Sequence, residues 1–132
     1  LKTLSQSGGM LGFSLYPHHL NDNSNCKLDN FCEMVARTAE IMDVKNLGIG
    51  SDLCLNQPDE IVEWMRNGTW TKKKVYGEGT ASNVGFPDQP SWFKDARGFK
   101  NIENGLKKIG FDFDEINGIL GNNWYNFYKG IN

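Results

Sequence analysis

Hydrophobic positions along the chain fall into short blocks of changing period. Met10 to Tyr16 (MLGFSLY) is an almost unbroken apolar run between Gly8-Gly9 and Pro17. Its length and flanks suit a strand buried on both faces in a parallel sheet. The polar stretch His18–Lys27 is rich in Asn, Asp and Ser and predicts a loop. From Leu28 the apolar residues Leu28, Phe31, Val35, Ala39 and Met42 recur at three- and four-residue steps, with Glu33 four before Arg37 on the outer face, as in an amphipathic helix. A second strand, Asn46–Asp52, follows after a very short connection. A strand–helix–strand unit of this size implies a parallel pair with a right-handed crossover, so the fold class is α/β.

Pro58 suits the first residue of a short helix capped by Asn56 or Gln57, with Ile61 and Met65 on one face. Residues 67–98 are irregular, and a loop of that length in a compact domain is usually functional. Helical spacing returns at Phe99, Ile102, Leu106 and Ile109, with Gly110 as the stop. Asp112 with Glu115 three residues on is a capping-box pattern opening a last helical stretch. Ile116, Ile119 and Leu120 form its buried stripe, and Gly121 breaks it before Trp124 and Phe127, which are read as core. The order is β-α-β-α-loop-α-α, with no repeat and no linker.

Composition narrows the function classes. The chain has 132 residues, 39% hydrophobic and 23% charged, which is a folded domain and not a disordered one. A net charge of -2 provides no basic field for a phosphate backbone, so no nucleic-acid partner is expected. No apolar run approaches the length of a membrane span and residues 1–20 lack a leader pattern, so no membrane partner is expected either. Cys26, Cys32 and Cys54 are too few and too irregular for a disulfide scaffold or a zinc ribbon, which points to a soluble protein of a reducing, cytoplasmic compartment. The opening Leu1, in place of Met, suggests a fragment.

Three blocks carry a family resemblance: Gly8-Gly9-Met10 through Tyr16-Pro17, Leu47-Gly48-Ile49-Gly50-Ser51-Asp52, and Ile119-Leu120-Gly121-Asn122-Asn123-Trp124. In this order they resemble the renal (membrane) dipeptidases, zinc metallopeptidases of the amidohydrolase superfamily. The resemblance implies the C-terminal portion of a (β/α)8 TIM-like barrel, with Met10–Tyr16 as strand seven and Leu47–Asp52 as strand eight. Residues 1–132 would then be a single partial domain, with a long inserted loop over 53–97 and closing helices over 98–129. Two departures stand out. Leu53-Cys54-Leu55 follow Asp52 where the family usually has Phe-Asp-Gly, and the family is often much shorter where this chain runs from Leu53 to Arg97.

The resemblance further implies a binuclear zinc site in the full-length parent. Its ligands, a His-x-Asp pair, a bridging Glu and two further His, belong to strands outside this sequence. No metal ligand is assigned to this chain, and no cofactor is expected in the chain alone. His18-His19 reads as a solvated loop pair, since adjacent rings on a loop point different ways and no third ligand stands at suitable spacing. The cysteines read as buried thiols, and Lys72-Lys73-Lys74 as a solvated run.

Asp52 is the catalytic candidate. The resemblance gives it the proton of the attacking water, to be passed to the leaving amine; an aspartate ending a strand also serves as a turn or cap. Tyr16 matches a strand-seven tyrosine beside the substrate, although an aromatic there also simply packs the barrel rim. The expected function is dipeptide hydrolysis, with a small peptide or amide substrate and a homo-oligomeric assembly. The rival reading is a non-catalytic assembly module in which Trp70, Tyr76, Phe86, Trp92 and Phe93 of loop 67–98 form a lid or contact surface.

Overall fold

A computed structural model describes residues 1–53, 60–61 and 87–131. Two strands, β1 (Leu11–Ser14) and β2 (Leu47–Gly50), pair in parallel with Leu11 opposite Leu47 and Ser14 opposite Gly50. Among the described residues, besides helical residues 60–61, the helices are α1 (Lys2–Gln6), α2 (Leu28–Ala39), α3 (Phe99–Lys108), α4 (Phe113–Asn117) and α5 (Asn123–Lys129). A wide π-type turn, Gly118–Asn122, joins the last two and kinks at Gly121, where the sequence predicts a break. The β-α-β unit is therefore as expected, and α2 is its crossover.

Both strands are shorter than the apolar runs suggest. β1 stops at Ser14 because the Tyr16 amide donates to Ser14 Oγ at 3.2 Å instead of continuing the ladder. β2 stops at Gly50 because the backbone turns at Asp52, whose φ of 50° is left-handed. The Asp112–Glu115 capping box is present in both directions, each bond 2.9 Å.

The two faces of the sheet are covered differently. Phe13 and Leu47 point into a core with Phe31, Cys32 and Val35 of α2 and Ile102 and Leu106 of α3. Trp92 and Phe93 complete it. The Trp92 indole donates to Cys26 O at 2.7 Å, and its ring lies 5.2 Å from that of Phe31. These two aromatics thus belong to the interior and not to a displayed contact surface: they sit in a turn closed by the Phe93 amide on Pro90 O at 2.9 Å, and both are buried. Trp70, Tyr76, Phe86, the Lys72–Lys74 run, Cys54 and Pro58 lie outside the described residues.

On the opposite face Gly12 and Gly48 stand side by side in register, and Trp124 of α5 lies across them. A Cβ at Gly48 would sit 2.2 Å from the indole Nε1, and one at Gly12 would sit 3.0 Å from the far ring edge. The indole N–H donates to Ile49 O at 3.1 Å. Trp124 is only half-buried, so it clamps the sheet from outside the core to which the periodicity assigns it. Beside it, Asn123 Nδ2 donates to Val44 O and Leu47 O, both at 2.8 Å.

Gly48→Ala is therefore expected to displace Trp124, with a loss of about 1–3 kcal/mol as in other overpacked sites. Gly50→Ala, whose Cβ meets nothing nearer than Phe13 O at 4.0 Å, should stay within about 0.5 kcal/mol of wild type. Urea unfolding of the two variants checks the contrast, and equal losses would contradict the clamp.

Cys32 yields a second expectation. Burial, then the Asp29 carboxylate, push its thiol up to about 11, partly offset by Lys108. The folded state thus keeps a proton that the unfolded chain releases nearer 9.0. Stability should be full below that range and fall as pH rises towards about 11. Cys32 should also resist iodoacetamide at pH 8 in the native protein and react once urea is added. Mass mapping of the alkylated peptides reads this directly.

Candidate functional site

The parallel register brings together what the chain separates. Beyond the Ser14–Gly50 pair the ladder runs on through Leu15 N–H to Gly50 O at 3.3 Å, and both chains then turn at the same edge. The β1 side enters a short 3-10 turn, Pro17–His19. On the β2 side, the Leu53 amide donates to Ser51 Oγ at 3.4 Å while Asp52 takes the left-handed conformation. Asp and Asn tolerate that region better than other non-glycine residues, which suits an aspartate at this corner.

Ser14 is the centre of the resulting cluster. Its hydroxyl donates to Asp52 Oδ2 at 2.7 Å, and its oxygen accepts the Tyr16 amide at 3.2 Å. His19 Nδ1 lies 2.9 Å from the same oxygen. A serine hydroxyl has one proton and two lone pairs. With the proton committed to Asp52, the His19 contact is an Nδ1–H donation, and both acceptor positions are filled. The order is thus His–Ser–Asp with the serine in the middle, so its oxygen is neither activated by a base nor placed as a nucleophile.

Asp52 and Tyr16 are joined through this serine. Asp52 is exposed at the carboxyl end of β2, where α/β folds place their sites. Tyr16 is buried, its ring edge-on to His19 at 5.2 Å and to His18 at 5.7 Å. His18 turns the other way, its Nδ1 donating to Asn23 Oδ1 at 3.1 Å. The histidine pair therefore divides: one ring belongs to the cluster and the other to the loop. No sequence motif marks Ser14, for which the cue is positional, a polar residue near the end of an apolar strand, and His19 reads in the sequence only as half of a solvated loop pair. Cys26 and Cys32 are free and buried, with burial pushing both thiols up, so neither is a nucleophile or a ligand in waiting.

Among the described residues no group of three or more His, Cys, Asp or Glu is placed to hold a metal ion. No helix among them is long and apolar enough to cross a membrane.

Comparison with known proteins adds the fold context. No protein-family model matches the sequence, and no curated protein matches it. Among solved structures, the chain is similar to the crystal structure of an amidohydrolase from Pseudomonas aeruginosa, with a TM-score of 0.76 at 19% sequence identity. The similarity covers 96% of this chain and 37% of that one, so the chain spans well under half of the protein it matches. At this identity the likeness establishes a shared fold.

Proposed function

We propose that this chain forms part of the (β/α)8 barrel of an amide hydrolase of the dipeptidase kind, with β1 and β2 as its seventh and eighth strands. The observation that carries the reading is Asp52, an exposed carboxylate at the carboxyl end of β2, held by Ser14 of the neighbouring strand at 2.7 Å. The parallel β-α-β unit and the fold shared with an amidohydrolase support it. The substrate class is a small peptide or other amide.

In this reading Asp52 accepts a proton as water adds to the amide carbonyl carbon. It returns that proton to the nitrogen as the C–N bond breaks, so the products are a carboxylic acid and an amine and the carboxylate is regenerated. Tyr16, buried against both histidines, shapes the wall beside it. The zinc pair that the family resemblance implies finds no ligand set among the described residues.

Asp52→Asn is the informative variant. Asparagine tolerates the left-handed backbone and still accepts from Ser14, so the corner is retained while the base is removed. In the hydrolase that contains this chain, kcat on a dipeptide is expected to fall by roughly 10²–10⁴, with the thermal midpoint little changed. Near-normal turnover, with or without lost stability, would make Asp52 a turn residue and overturn the reading.

A further inference from the structure

We propose that His19 is a positioning residue for Asp52, acting through the Ser14 hydroxyl in a one-way chain, Nδ1–H to Oγ–H to Oδ2. The assignment of a role in turnover rests on the hydrolase reading above; the chain itself does not. Its direction follows from proton counting. Ser14 donates to Asp52 at 2.7 Å and accepts the Tyr16 amide at 3.2 Å, which leaves one lone pair, 2.9 Å from His19 Nδ1. Were His19 to present a bare Nδ1, two lone pairs would face each other or the serine would abandon the carboxylate. The neutral ring is therefore the Nδ1–H tautomer with its acceptor at Nε2, because the partner of one ring nitrogen decides where the proton sits.

The consequence for Asp52 is geometric. One carboxylate oxygen, Oδ2, is held by a hydroxyl that two N–H donors keep from rotating, and Oδ1 is assigned the proton exchanged with substrate. The titratable groups the hydrogen bonds bring to Ser14 are His19 and Asp52. His19 donates from the Pro17–His19 turn, Asp52 accepts at the end of β2, and His18 is turned to Asn23. The imidazole of His19 also packs edge-on against the Tyr16 ring at 5.2 Å.

The test uses the chain labelled with 15N-histidine, with His18→Gln to assign the two rings. Ring nitrogen shifts of the neutral His19 ring are expected to show Nδ1–H. In Asp52→Ala the Ser14 proton loses its acceptor and can turn to the ring, so His19 is expected to switch to Nε2–H although the mutated side chain does not touch it. Ser14→Ala should release the preference as well, and serves where Asp52→Ala fails to fold. An Nε2–H ring in the wild type, or a tautomer indifferent to both substitutions, overturns the chain.

For the role in turnover, His19→Ala in the intact hydrolase is expected to lower kcat by roughly 10–100-fold, as with other residues that orient a functional group, with KM little changed. His19→Asn, whose Nδ2 can donate in place of Nδ1, should recover most of that loss. Equal losses in both variants would overturn the positioning role. Failure of Asp52→Asn to affect turnover would instead overturn the hydrolase reading and leave the tautomer result standing.

Discussion

The close approach of Trp124 to two adjacent glycines is the constraint on which the site depends. Gly12 and Gly48 are register partners, and together they leave a flat strip across a two-stranded sheet. Glycine inside a strand costs roughly 0.5–1 kcal/mol relative to alanine. Here that cost is offset by an indole laid on the strip and by its hydrogen bond to Ile49 O. Asn123, one residue earlier on α5, secures the entry to β2 through Val44 O and Leu47 O. One helix thus fixes where β2 begins and how it lies against β1, and the position of Asp52 at its far end follows.

The other face supplies the depth that two strands alone lack. Phe13, Phe31 and Trp92 form a chain of ring contacts from β1 through α2 to the segment before α3. α3 comes close to α2 at Gly105, where a Cβ would meet Cys32 Sγ at 2.6 Å. Small residues at crossings of this kind let helix axes approach and let the larger side chains on either side interdigitate. The same packing raises the Cys32 thiol, since a sulfur wedged under a helix is poorly solvated when charged. By comparison the surface ion pairs, such as Lys108 with Asp29 at 3.0 Å, lie between exposed side chains and add little.

The periodic parts of this fold are legible in the sequence because they rest on local physics. The amphipathic step of α2, the Asp112–Glu115 box and the break at Gly121 need no knowledge of distant residues. The site is different. Ser14 lies 38 residues from Asp52, and their hydrogen bond exists only because Ser14 pairs with Gly50, so a one-residue slip of register would abolish it. Trp124 reads as core for a related reason: a half-covered indole on glycine and an indole in an apolar interior leave the same trace in a periodic pattern. The matched glycines, each in the second position of its strand, were the available signal that an aromatic side chain would cover them. Likewise, the irregular composition before α3 hides the return of Trp92 and Phe93 to the core.

Partly exposed hydrogen bonds such as those around Ser14 are individually weak, on the order of 0.5–1.5 kcal/mol net. Their persistence has to come from the backbone. Tyr16 turns its amide away from the ladder and into Ser14, and the left-handed residue at Asp52 folds the β2 side back towards the same oxygen. Two backbone departures at one sheet edge therefore bring the partners within reach before any side chain chooses a rotamer, which lowers the entropy lost in forming each bond. The side chains decide only the direction in which the protons point. Since a carboxylate can only accept and an amide N–H can only donate, that direction is dictated at both ends of Ser14, and the imidazole is left with a single consistent tautomer.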